Sequence, residues 1–415
     1  MIQTDICIVG AGPGGAATAL KLSYLGIPCV LIDKAVFPRD KICGDAVSGK
    51  VTTLLNRLDP QIMHRFRGYA QPIQTGIWGL RLVSPNNKKI DVPFKFDYNP
   101  EEEVAPGYVS KRIDFDNFMV EEVRRRTNID FYDNTAIEQY ERSDKGYIIK
   151  NKSGDFAVQC RLLIMANGAH SQFARHHAGL EKDPKHHAGA LRAYYRNVGD
   201  MKEGFIELHF MKELIPGYFW VFPLPNNEAN VGLGIRTDFI SKRRLNLRKL
   251  LDEVLANHPG VKERFQNAEL VDTVQGYGLP LGSKTRRISG DNFLLIGDAG
   301  HLIDPLTGEG IGNAVYSGFI AAELAQKCLA ENNFSAGYLM AYDERVRRVL
   351  GSEMKLSYQL QRMLAYPRLV NVIANWITGN PRLVNIISRM YTDFELRKKL
   401  VKPTFWAKVL LGREV

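Results

Sequence analysis

The chain has 415 residues, 45% hydrophobic and 24% charged, with a formal net charge of +10. That composition supplies a large core and more than one domain, and it excludes disorder as the default state. No apolar run reaches the roughly 18 residues of a membrane span, and the chain opens directly on a strand, so neither a span nor a secretory leader is expected.

The apolar run Ile6 to Val9 reads as that first strand, and Gly10-Ala11-Gly12-Pro13-Gly14-Gly15 follows it. Next come a helix from Ala16 to Leu25 and a second apolar strand, Cys29 to Ile32, ending at Asp33. In this G-x-G-x-x-G arrangement Gly10 permits the tight turn, Gly12 lets the backbone approach a pyrophosphate, and Gly15 lets helix and strand pack. The helix N-terminus favours the phosphates, and Asp33 can accept from a ribose hydroxyl. At this point the dinucleotide is either NAD or FAD.

From about residue 68 to 108 the chain is rich in aromatics, Pro and Asn. Arg112 to Arg126 then reads as a helix, and Ile129 to Tyr132 and Leu162 to Met165 as strands. From 189 to 284, β-like runs such as Tyr218-Phe219-Trp220-Val221-Phe222 read as an antiparallel sheet. Phe293 to Ile296 is another strand, leading into Gly297-Asp298-Ala299-Gly300-His301, then Asp304 to Asn313 and an Ala-rich helix. The Asp298 carboxylate, just past a strand, can hold a sugar-alcohol hydroxyl. The turn at Gly308, Gly310 and Ile311 opens a second helix N-terminus onto developing negative charge. NAD has no use for this second site; a flavin, with its ribityl chain and N1–C2=O edge, does. The last 75 residues read as helices, with Pro367-Arg368-Leu369-Val370-Asn371 repeated as Pro381-Arg382-Leu383-Val384-Asn385, each Pro marking a helix start.

The five cysteines, Cys7, Cys29, Cys43, Cys160 and Cys328, include no C-x-x-C pair. This argues against a disulfide framework, zinc or an iron–sulfur cluster, and for a reducing cytoplasm. The basic balance comes without a Lys/Arg tract interleaved with aromatics, so no nucleic-acid partner is expected. Toward the C-terminus, Trp376, Ile377, Ile386, Ile387, Met390 and Tyr391 precede the basic residues Arg397, Lys398, Lys399 and Lys402. Phe405-Trp406 and Val409-Leu410-Leu411 follow. This pattern suits either a helical cap or an interfacial helix on anionic lipid.

Gly10 to Gly15 with Asp33, Arg112 within Val109 to Asp116, and Gly297-Asp298 resemble the FAD fingerprints of the para-hydroxybenzoate-hydroxylase-like flavoproteins. Met165-Ala166-Asn167-Gly168 resembles that group's middle motif, with Asn167 in place of the usual aspartate. Within the group the chain is similar to the geranylgeranyl reductase family. The resemblance rests on Lys41-Ile42-Cys43-Gly44-Asp45, on the Y-x-W-x-F-P string at Tyr218 to Pro223, and on Asp304 to Ile311. It covers about residues 1 to 330.

The resemblance implies an α/β fold with a Rossmann-type FAD-binding domain assembled from 1–67, 109–188 and 285–340. A substrate-binding β-sheet domain from 68–108 and 189–284 is inserted in it, and a C-terminal helical region covers 341–415. It implies FAD held by Gly10, Gly12, Gly15, Asp33, Lys34, Cys43, Gly44, Arg112, Ala136, Asp298, Gly308, Gly310 and Ile311. Cys43 becomes the catalytic candidate beside the flavin, and Tyr218, Trp220 and Phe222, alternating on one strand, the wall of a lipophilic substrate site. The implied reaction is reduction of C=C bonds of a polyprenyl lipid or quinone tail, without metal. No second G-x-G-x-x-G is present, so NAD(P)H or a protein electron donor would act as a transient reductant. Cytoplasmic location with peripheral contact at the inner face of the membrane follows from the substrate. The alternative is a flavin monooxygenase or halogenase, although Tyr218 stands where a halogenase string has its first Trp. An electron-transfer flavoprotein would add a cysteine-ligated cluster domain that this chain lacks.

Overall fold

The computed structural model describes residues 1–69, 73–392, 399 and 404–405. Two large sheets organise it. The first runs Ser289–Gly290, Phe293–Leu295, Ala157–Met165, Ile2–Val9, Cys29–Ile32, Ile129–Tyr132, parallel after its first pair, and the antiparallel strands Gly146–Asn151 and Ile137–Ser143 branch from Ala157–Met165. Helices cover a parallel sheet on both faces, which is why its central strands are continuous apolar runs rather than alternations. Ile6, Cys7, Ile8 and Leu162 to Met165 are completely buried. The helix after the glycine turn spans Pro13–Tyr24 and packs against the long helix Ile311–Glu331. It starts three residues earlier than the apolar pattern suggests, because Pro13 suits the first turn of a helix, where no N–H is needed.

The second sheet has the order Glu269–Leu270, His187–Arg196, Glu228–Arg236, Tyr218–Leu224, Phe205–His209, Gly79–Val83, Lys89–Pro93, with Gln275–Pro280 also on His187–Arg196. The expected antiparallel pairing has one exception: Phe205–His209 and Gly79–Val83 run parallel. This pair joins two segments far apart in sequence, and a parallel pair needs such a long connection. Thr75–Ile77 leaves the second sheet altogether and pairs with Gly107–Val109, as Ala46–Val47 does from the other edge.

The repeated prolines do start two helices, Pro367–Thr378 and Pro381–Thr392. Both rest on the outer strand of the second sheet, where Ala374, Ile377 and Leu383 bury against Ile90 and Val92. These helices therefore cap the protein's own sheet. The interfacial-helix reading of the segment beyond them turns on Arg397, Lys398, Lys402, Trp406 and Val409 to Leu411, which lie outside the described residues. Among the described residues no helix is long and apolar enough to cross a membrane.

Candidate active site

A cavity of ≈ 1850 Å³ runs from the glycine turn, between the two sheets, to the C-terminal helices. Sites for one drug-sized ligand are usually about 300–1,000 Å³, so this one has room for a dinucleotide and a second molecule.

At one end the three motif glycines divide their work. Gly10 sits at φ +107°, and a Cβ there would lie 2.5 Å from the Ala166 carbonyl oxygen. A Cβ on Gly15 would overlap the Gly10 carbonyl oxygen. Those two glycines are demanded by the protein's own packing. Gly12 is not: the nearest atoms to a Cβ there are the Arg39 and Arg112 guanidinium nitrogens at 3.7 and 4.0 Å. Its bareness serves whatever occupies the space beyond it. Asp33 is pinned at this end, its Oδ2 accepting from the Ala11 N–H at 2.6 Å and its Oδ1 from the Ala35 N–H at 2.9 Å. Lys34 and Ala136 line the same end.

Arg112 donates twice to the buried Asp116 carboxylate, at 2.6 and 2.7 Å, and Arg39 bonds the same carboxylate. Against the cost of burial, the two guanidinium groups hold the Asp116 carboxyl below its ordinary range. Two arginines on one carboxylate leave a net positive charge facing Gly12, which is what a pyrophosphate requires. Sequence reasoning singled out Arg112 but not Arg39, which no local pattern marks.

Farther along, Asp298 sits in the turn Gly297–Gly300 and pairs with the Lys41 ammonium at 3.0 Å. Although burial opposes its charge, Asp298 keeps the Lys41 ammonium above its ordinary range, and the ammonium also lies 5.1 Å over the Tyr277 ring. Gly308 has φ +73°, and a Cβ on Gly310 would come 3.2 Å from Asp298 Oδ1. Ile311 begins the long helix at this turn and lines the cavity. The Tyr218 hydroxyl donates to the Thr307 carbonyl, tying the second sheet to this turn.

Cys43 is half-buried and lines the cavity, whereas Cys7, Cys29, Cys160 and Cys328 are buried. Gly44 packs on Phe222, whose ring would lie 3.3 Å from a Cβ there. Tyr218, Trp220 and Phe222 share one face of their strand and line the cavity together. The Trp220 indole donates to Asn230 Oδ1 at 2.8 Å, and Asn230 donates to the Cys43 carbonyl at 2.8 Å. Asn230 thus couples the aromatic wall to the cysteine turn, a role that its place in an ordinary strand did not signal. Beyond the aromatics the lining turns aliphatic, with Leu80, Leu82, Val92, Ile206, Leu208 and, from the capping helices, Ile387.

The residues present fit a flavin dinucleotide: an open cradle at Gly12, two arginines facing it, a fixed acid at Asp33 and a second acid turn at Asp298. Asn167 Oδ1 also lines the cavity, buried and without a hydrogen-bond partner among the described residues. Among the described residues no group of His, Cys, Asp and Glu is placed to hold a metal ion.

The family described as "FAD binding domain" matches the chain over residues 3–350. A digeranylgeranylglycerophospholipid reductase of Methanosphaera stadtmanae is 30% identical over 361 residues, covering 86% of this chain and 86% of that one. Among solved structures, a geranylgeranyl bacteriochlorophyll reductase-like protein of Thermoplasma acidophilum superposes with a TM-score of 0.80 at 24% identity, covering 96% of this chain and 99% of that one. The halogenase PltM superposes with a TM-score of 0.73 at 17% identity, over 97% of this chain and 86% of that one. At those identities the two structures share the fold.

Proposed function

We propose, from the premise that this chain belongs to the FAD-binding-domain family and within it to the geranylgeranyl reductase family of FAD-dependent oxidoreductases, that it reduces C=C bonds of a polyprenyl lipid. The observation that carries the reading is that one continuous cavity joins the glycine turn and arginine pair to an aliphatic channel between Leu80, Leu82 and Leu208. Bound and reduced, FAD would supply hydride to an alkene carbon.

The chain's own residues do the rest. Gly12 with Arg39 and Arg112 takes the pyrophosphate, Asp33 the ribose, and Asp298 the ribityl hydroxyls. Lys34, Gly44, Ala136, Gly308, Gly310 and Ile311 complete the cofactor's surroundings, and Cys43 borders the reacting position. Tyr218, Trp220 and Phe222 form the wall above it and keep water from the alkene. The aliphatic channel orients the chain lengthwise, so that one double bond at a time stands at the aromatic wall. NAD(P)H or a protein donor reloads the cofactor between turnovers.

Because such a substrate resides in a bilayer, the protein meets it there, through the basic and aromatic C-terminus. Sedimentation with anionic vesicles should be salt-sensitive and should be lost when Arg397, Lys398, Lys399 and Lys402 are replaced by Gln. The function itself is tested by mass spectrometry of lipids from cells with and without the protein. Prenyl chains heavier by two hydrogens per reduced bond are expected. Unchanged saturation in every prenyl lipid, or stoichiometric hydroxylation or halogenation of an added substrate, would overturn the reading.

A further inference from the structure

Asp45 ends the Cys43-Gly44-Asp45 turn and lines the cavity, yet its side chain is completely buried. Its backbone is held at φ 67°, a left-handed conformation that costs free energy for any residue but Gly and that Asp and Asn tolerate best. Oδ2 accepts from the Tyr194 hydroxyl at 2.8 Å and from the Asn230 amide at 2.7 Å. Oδ1 has no hydrogen-bond partner among the described residues. Asn230 has nothing further to give, since its other contacts hold the Cys43 carbonyl and the Trp220 indole. A buried carboxylate oxygen left bare is costly, whereas a buried carboxylic acid is much less so.

Behind Asp45, Tyr194 is flanked by two cations. The Tyr194 ring carries the Arg192 guanidinium at 4.1 Å and the Lys111 ammonium at 4.8 Å from its centre. Arg192 in turn pairs at 2.6 Å with Asp40, whose side chain is 34% exposed.

We propose that Asp45, rather than Cys43, is the acid that delivers the proton to the substrate alkene. The proposal rests on the reading of the protein as a prenyl reductase. One alkene carbon receives hydride, with its two electrons, from the reduced cofactor. The other takes the proton released as the Asp45 O–H bond breaks, and the two electrons of the π bond form the second C–H bond. Asp45 is left a carboxylate, and a proton taken up from solvent between turnovers restores the acid. Burial pushes the Asp45 carboxyl up to about 7, against the donors Asn230 and Tyr194 and the charges of Arg192 and Arg112. A proton donor works best when its pKa lies near the working pH. Because the protonated form acts, the rate falls as pH rises through about 7.

The test uses flavin-loaded protein, reduced anaerobically with dithionite and mixed with a geranylgeranyl lipid, with flavin reoxidation and saturated product followed across neutral pH. Asp45→Asn should bind flavin and accept electrons as wild type does, yet turn over at least about 100-fold slower and without the neutral pH limb. Cys43→Ala should keep that limb. Independently of turnover, infrared spectra of the wild type should show a protonated-carboxyl carbonyl band that fades as pH rises through about 7 and is missing from Asp45→Asn. The proposal is overturned by an Asp45→Asn variant with wild-type rate and pH limb, by loss of the limb in Cys43→Ala, or by the absence of the titrating band. A wild type that reduces no prenyl alkene removes the reductase reading and this proposal together. A working wild type with an unimpaired Asp45→Asn removes the proposal alone.

Discussion

Gly12 and Gly15 belong to one motif, but the structure gives alanine at each a different consequence. At residue 12 the backbone is already at φ −64° and ψ 179°, open to any residue. A Cβ there finds only guanidinium nitrogens, at 3.7 and 4.0 Å, which is ordinary contact. Gly12→Ala should therefore leave the apoprotein as stable as wild type, or more stable by up to about 1 kcal/mol through a less flexible unfolded chain. The new methyl would occupy the cradle meant for the pyrophosphate. Overpacking costs about 1–3 kcal/mol, so FAD should bind roughly 5- to 150-fold more weakly. At residue 15 the Cβ overlaps the Gly10 carbonyl oxygen, and strand and helix must move apart. Gly15→Ala should lose about 3 kcal/mol of apoprotein stability, the upper end of the same range. Urea unfolding of the apoproteins and FAD titration by quenching of flavin fluorescence separate the two effects. Wild-type FAD affinity in Gly12→Ala, or equal destabilisation by both variants, would refute the reasoning.

Asp298→Ala should retain its fold while losing bound flavin, read as the visible absorbance of the purified protein; it removes the acceptor and leaves the Lys41 ammonium without its carboxylate partner. Asp45 should also write itself into stability. Its folded pKa is raised to about 7 from 3.8, so the folded state holds the extra proton between about pH 4 and 7. The stabilisation is complete below pH 4 and is lost by pH 7, a decline of about 4 kcal/mol. Urea unfolding of wild type and Asp45→Asn at several pH values should show this slope in wild type only. Leu82→Trp should narrow the channel beyond the aromatic wall, slowing conversion of a geranylgeranyl chain at least about tenfold while sparing a short prenyl alkene; equal effects on both, in product assays, would count against the channel.

What the sequence determined by itself are the features whose physics is local. A G-x-G-x-x-G turn, an acid at the end of the next strand, a proline at a helix start and aromatics alternating along a strand each depend on residues within about a turn or a strand length. That is why the glycine turn, the Asp298 turn, the helix starts at Pro367 and Pro381 and the shared face of Tyr218, Trp220 and Phe222 are legible in the sequence. Other features were settled by tertiary structure. The parallel pairing of Gly79–Val83 with Phe205–His209 joins strands that no local pattern links. Arg39 gains its place only because the fold brings it to Asp116. Asn230 and Tyr194 reach Asp45 across more than a hundred residues. Nothing around Asp45 in the sequence distinguishes a solvated loop acid from a buried one, because its protonation depends on the dielectric and the donors that the second sheet supplies.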